Sequence, residues 1–140
     1  MINLVGIDPR ILRLLELQQV DGAAGATSIQ SAVVPNDEIW WIMGCGATHD
    51  ELAVSHRISI SIRTAAAFGI RLAQGSTLGS GGDGVPVLRD FILPPGHTIL
   101  VVAEALGVGN ILSLRALMAR LKLPRSPLEF TMPFMLPRGF

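Results

Sequence analysis

Lysine and tyrosine are nearly missing from this chain of 140 residues: Lys122 is the one lysine, and there is no tyrosine. Cys45 is the one cysteine, which excludes an internal disulfide and fits synthesis in a reducing compartment. Eleven basic residues are balanced by eleven acidic ones, and no Lys/Arg cluster occurs. The basic stripe that grips phosphate backbones is therefore absent, and no nucleic-acid partner is expected. No apolar run approaches the ~20 residues of a spanning helix. The best candidate, Phe91 to Ala103, is broken by Pro94-Pro95-Gly96, so no membrane partner is expected. No basic segment followed by an apolar stretch and a small-residue cleavage site opens the chain, and synthesis in the cytoplasm is expected.

Charge of either sign is scarce. Charged residues make up 16% of the chain against 49% hydrophobic, and the mean hydropathy is +0.49. Zero net charge opposes association only weakly, so much of the surface is expected to be covered by other chains. The length suffices for one domain with a real core.

Two stretches follow one plan. Val34-Pro35-Asn36-Asp37-Glu38 runs into Ile39-Trp40-Trp41-Ile42-Met43, and Leu93-Pro94-Pro95-Gly96-His97 runs into Thr98-Ile99-Leu100-Val101-Val102. Each is an apolar strand end, a proline-led turn and a new β-branched or aromatic run. Strands are expected near Ile29–Val34, Glu38–Cys45, Val54–Arg63, Gly69–Ala73, Val85–Leu93, Thr98–Ala105 and Ile111–Leu123. Ile58, Ile60 and Ile62 alternate with polar residues, the mark of a strand with one wet face. Ile111, Leu114, Leu117, Met118 and Leu121 fit helical spacing, while Ser113, Arg115, Leu117, Ala119 and Leu121 give a weaker period of two. The surrounding β pattern needs a closing strand, and strand is expected there. The fold class is all-β, an antiparallel jelly-roll or β-sandwich over residues 27–123.

Both ends differ from this middle. Asp8 and Pro9 suit a helix start, and Ile11, Leu14, Leu15 and Gln18 fall at helical spacing. Residues 1–26 are therefore expected to hold a short helix and a linker. Residues 124–140 interleave Pro124, Pro127, Pro133 and Pro137 with Leu128, Phe130, Met132, Phe134, Met135, Leu136 and Phe140. So much proline forbids a regular helix or central strand, and so much apolar surface calls for cover. An extended C-terminal arm laid on a neighbour satisfies both. Ile11, Leu14 and Leu15 of the helix and the seven apolar arm residues are the expected partner contacts.

Chemistry-bearing residues fit no catalytic pattern. Gly79-x-Gly81-x-x-Gly84 matches a dinucleotide fingerprint in letters, but strand-like Val85-Pro86-Val87 follows where a helix is required. His49, Asp50, Glu51 and His56 are metal-ligand types without a metal-site spacing, and a solvated turn over 47–52 is the better reading. His97 reads as a turn residue. Cys45, between two glycines, lacks a local partner base and reads as a small buried hydrophobe. No Gly-x-Ser-x-Gly elbow is present. The expectation is a protein that is not an enzyme and needs no cofactor or metal. Trp40 and Trp41 point to opposite faces if they lie on a strand. One belongs to the core. The other, taken as Trp41, either meets a second layer or anchors a partner.

From Val34 to Leu123 the chain resembles the jelly-roll head decoration, or cementing, proteins of tailed bacteriophages. The matching features are Val34-Pro35 to Trp41, His56-Arg57-Ile58-Ser59-Ile60-Ser61-Ile62, and Phe91-Ile92-Leu93-Pro94-Pro95-Gly96-His97-Thr98-Ile99. The resemblance implies a virion protein on the outer capsid surface. Its partners would be the major capsid protein and itself, as a homodimer or trimer. Binding only the expanded shell would stabilise that state. A carbohydrate-binding jelly roll of a tail or fibre is the alternative, weakened by the absence of tyrosine. A cupin-type enzyme would want a histidine and carboxylate cluster that this spacing does not provide.

Overall fold

The computed structural model describes residues 12–20, 25–64, 66, 68–79 and 84–123. Nine strands lie among the described residues: β1 (Leu12–Val20), β2 (Thr27–Gln30), β3 (Glu38–His49), β4 (His56–Arg63), β5 (Gly69–Thr77), β6 (Val85–Val87), β7 (Phe91–Leu93), β8 (Thr98–Ala103) and β9 (Ile111–Lys122). They form two antiparallel sheets. Sheet A runs β1-β9-β3, with β6 and β7 both on the far edge of β3, and sheet B runs β2-β8-β4-β5. The pairings nest. β1 lies beside β9, β2 beside β8, β3 beside β7 and β6, and β4 beside β5.

The core lies between the sheets, fed by alternate residues of each strand. Sheet B contributes Ile58, Ile60, Ile62, Ile99 and Val101, and sheet A contributes Trp40, Ile42, Leu112, Leu114 and Met118. Burial of each such aliphatic side chain contributes about 1.5–3 kcal/mol. The two proline turns sit side by side. Val34 N–H donates to His97 O (3.0 Å), and Gly96 N–H donates to Val34 O (2.9 Å). Gly96 has φ +79°, the value that the third position of the Pro94-to-His97 turn requires.

Most expected strands are present with shifted ends. β3 runs on to His49 and β5 to Thr77, past the ends expected for them at Cys45 and Ala73. The expected single strand over 85–93 is two short ones, because Leu88 to Asp90 leave the sheet between them. The ambiguous segment from Ile111 is strand β9, lying between β1 and β3.

The N-terminal expectation is overturned. Leu12–Val20, within the segment read as helix and linker, is strand β1, matched residue for residue to β9 from Leu12↔Ala119 to Val20↔Ile111. Helix preferences among ordinary residues differ by no more than about 0.7 kcal/mol each. The free edge of β9 offers a hydrogen-bonding partner along the whole segment, and that outweighs them. Ile11 and the expected C-terminal arm, residues 124–140, lie outside the described residues.

Candidate interaction surface

A sandwich in water should wet both of its outer faces. Sheet B does so. Its outer rows read Ser28–Val102–Ser59–Gln74 and Gln30–Leu100–Ser61–Arg71 across the four strands. Sheet A does not. One outer row reads Leu12–Ala119–Trp41–Ile92, and the next reads Leu14–Leu117–Gly44. Leu121 and Ile39 form a further apolar pair beyond the first of these rows. Leu14 is 69% exposed, Ile92 52% and Leu117 38%. The Trp41 indole N–H donates to Asp90 Oδ2 (3.0 Å), which fixes the ring in place on this face.

Toward the other end, the same face turns polar. The next rows are Glu16–Arg115–Gly46–Pro86 and Gln18–Ser113–Thr48. Arg115 Nη2 lies 3.3 Å from Glu16 Oε1, and both side chains are largely in water. Glycine at 44 and 46 removes side chains from the middle of the face. A Cβ at Gly44 would meet nothing within 4 Å. The resulting hollow, about 410 Å³, is lined by Gly46, Thr48, Pro86, Ser113 and Arg115 among others. A second cleft, about 590 Å³, opens between β5 and the β6–β7 edge, with Leu88 and Phe91 on its wall. Leu88, Phe68 and Ile70 are also exposed.

The two tryptophans divide as the strand period demands. Trp40 is 5% exposed in the core, and its indole N–H donates to Glu38 Oε2 (2.9 Å). Arg120 grips the same carboxylate through Nε and Nη2, both at 2.9 Å, and lies over the Trp40 ring. Lys122 Nζ reaches Glu38 Oε1 at 3.0 Å. Glu38 is buried, and these partners hold its carboxyl at about 2, the Arg120 hydrogen bonds being the largest cause. Of the residues expected to bind partners, Leu14 and Trp41 share the outer face of sheet A. Leu15 is on the inner side of β1, part-buried against the core.

The histidine region is not the solvated turn that its spacing suggests. His49 and His56 are both buried, with ring centroids 4.9 Å apart in an edge-on contact. Glu51 N–H donates to His49 Nδ1 (3.2 Å), so His49 Nε2 carries the proton and donates to Thr77 O (2.7 Å). His56 Nδ1 faces Glu104 O (3.0 Å), and Nε2 faces Glu51 Oε2 (2.6 Å). Both ring nitrogens of His56 thus face oxygen acceptors. Gly107 N–H also donates to Glu51 Oε2 (2.7 Å), and this bond is the main cause that lowers the Glu51 carboxyl. One carboxylate thus ties β4 to the β8–β9 connection, and His49 adds the end of β5. Among the described residues, no group of three or more His, Cys, Asp or Glu side chains is placed to hold a metal ion. Burial pushes the Cys45 thiol up to about 11, so at neutral pH it is a packed thiol.

No protein-family model matches this sequence, and no curated protein matches it. Among solved structures, the chain has a weak likeness to that titled "Crystal structure of infectious bursal disease virus VP2 subviral particle", with a TM-score of 0.21 and 8% identity over 98% of this chain and 54% of the other. This chain thus spans about half the length of that one. A likeness at that level carries neither fold detail nor function.

Leu117 and Ile92 are the surface residues that sequence reasoning missed. The signal for Leu117 was the period of two through Ser113, Arg115, Leu117, Ala119 and Leu121, which is the outward row of β9. That row is more apolar than water favours.

Proposed function

We propose that this chain is a structural virion protein of jelly-roll fold. It binds the outside of an icosahedral phage capsid and cements neighbouring major capsid proteins, without catalytic role or cofactor. The observation that carries this reading is the contrast between the two outer faces: serine-rich on sheet B, apolar from Leu14 through Leu117 and Trp41 to Ile92 on sheet A. A contiguous apolar surface on an otherwise closed sandwich marks a place where another molecule is bound. The nested strand pairing supports the jelly-roll connectivity, and the motifs from Val34 to Ile99 support the decoration family.

The mechanism is adhesive. A subunit that binds the expanded shell and not its precursor stabilises the expanded shell by mass action. An oligomer bridging shell proteins needs more than one apolar surface. Phe68, Ile70 and Leu88, outside the apolar rows of sheet A, are exposed and are proposed as further contacts. The apolar residues from Leu128 to Phe140 are proposed as further contacts to neighbouring subunits. Quantitative mass spectrometry of gradient-purified particles tests the reading. Copies in a simple ratio to the major capsid protein support it. A few copies per particle point instead to a tail or fibre and to sugar binding. Absence from particles overturns it.

A further inference from the structure

We infer that the open edge of β5 accepts a strand from another protein, an extended segment in which apolar side chains alternate with carboxylates. The edge lies apart from the outer face of sheet A, and it takes that strand whether or not the protein sits on a shell.

β5 ends sheet B, with β4 as its neighbour. Among the described residues, no backbone hydrogen bond reaches β5 from another element. Alternate N–H and C=O groups of β5 therefore point away from the sheet, and another extended backbone is the partner that matches their repeat. At Gly75 the two sheets lie close, since a Cβ there would be 3.4 Å from a Val85 methyl of β6. Toward Arg71 the cleft of about 590 Å³ opens between β5 and the β6–β7 edge. One wall of that cleft is thus a strand edge.

The side chains around it describe the occupant. Leu72 and Phe91 line the cleft and pack against the core beneath. Leu88 on the other wall is 89% exposed, and Phe68 and Ile70 stand exposed at the start of β5. Apolar side chains of an added strand would cover them. Arg71 and Arg89 line the same cleft, both exposed, and among the described residues neither has an acidic partner. The Arg71 Nη1 group donates to Gln74 Oε1, and Asp90, the acid of this cleft, already accepts the Trp41 indole N–H. Two guanidiniums against one engaged carboxylate leave the cleft net positive. An incoming carboxylate gains charge-assisted hydrogen bonds there.

The same features turn away a second copy. Leu72 is an extra residue of β5, without a partner between Ile60 and Ser61 of β4. Bulges and edge charges are devices by which a sheet avoids pairing with its own kind. A second β5 would also bring its own Arg71 to this one, like charge on like. An acidic strand of another chain meets no such repulsion.

Fluorescence polarisation of the full chain with a labelled seven-residue peptide, alternating valine with glutamate, tests this. Saturable binding is expected. Lysine in place of each glutamate should weaken binding at least tenfold, and the Arg71→Glu, Arg89→Glu double variant should reverse that preference. The acidic peptide N-methylated throughout keeps its side chains but has no N–H, and it should not bind. Amide exchange in the complex should slow at alternate residues of β5 and not in β1 or β2, the other edge strands. No saturable binding, equal binding of the N-methylated peptide, or protection of β1 or β2 instead of β5 overturns the inference. Amides of β5 that are all protected in the free protein would show the edge filled by this chain itself, and would overturn it too. Particle binding is a separate readout. A protein that binds the peptide but never particles keeps this site and loses the cementing role, and one that binds particles but not the peptide does the reverse.

Discussion

His56 Nε2 lies 2.6 Å from Glu51 Oε2, and that same oxygen accepts the Gly107 backbone N–H at 2.7 Å. One carboxylate therefore fastens the first residue of β4 to the connection between β8 and β9. Glu51→Ala leaves the buried His56 Nε2 without its partner. Thermal unfolding should show a lower Tm, and hydrogen exchange should rise at Gly107 before it rises in the core strands. Unchanged exchange at Gly107 would show that the tie carries no stability.

Acid should act through Glu38. Its folded carboxyl is held at about 2, below its ordinary 4.5, chiefly by Arg120. A depressed carboxyl contributes stability that is complete above its ordinary value and is lost as pH falls toward the folded one. Urea unfolding between pH 4.5 and 2 should thus show wild-type stability falling, with a flatter profile for Glu38→Gln. Glu51 is lowered too and adds to the fall in both proteins. Equal slopes would remove Glu38 from the acid response.

The adjacent tryptophans should separate stability from binding. Trp40→Ala opens a cavity in the core and is expected to cost about 3–5 kcal/mol. Trp41→Ala removes a face residue and should cost roughly 1 kcal/mol or less, the scale of a cross-strand pair. It should nevertheless weaken self-association and particle binding. Chemical denaturation and sedimentation on the same two variants check both statements.

Gly79 should resist substitution. It has φ +66°, and a Cβ there would meet the Glu51 carbonyl oxygen and the His49 ring. Gly79→Ala is expected to destabilise by more than about 1 kcal/mol. Gly44→Ala, with open space around its Cβ, should not. The pair of Tm values tests the packing around the histidines.

Deletion from Pro127 onward should leave the β-type circular dichroism spectrum intact and abolish particle binding or self-association. Normal decoration by the truncated chain would remove the expected role of the C-terminal residues.

The β character of the middle was legible because proline turns and alternation act locally. Val34-Pro35 and Pro94-Pro95-Gly96 stop strands wherever they lie, and Ile58, Ile60 and Ile62 declare one buried face by their spacing. Trp41 was named from residue type, and Leu14 from a helical spacing that the structure does not keep; both lie on the outer face of sheet A. The segment Leu12–Gln18 was not legible. Its leucines satisfy helical spacing, and only the free edge of β9, about a hundred residues later in the chain, makes it a strand. Nor was the burial of His49 and His56. Two histidines and an acid around the β3–β4 connection meet a glycine of the β8–β9 connection only after the sheets have stacked.

The sequence by itself determined that this chain is β-rich and lightly charged, because turn residues and side-chain period act at short range and charge is a matter of composition. Only the tertiary structure decided which sheet meets water and which presents Leu14, Leu117, Trp41 and Ile92 together. Those four residues come from four strands, and it is cross-strand register, a long-range property of backbone pairing, that sets them on one face.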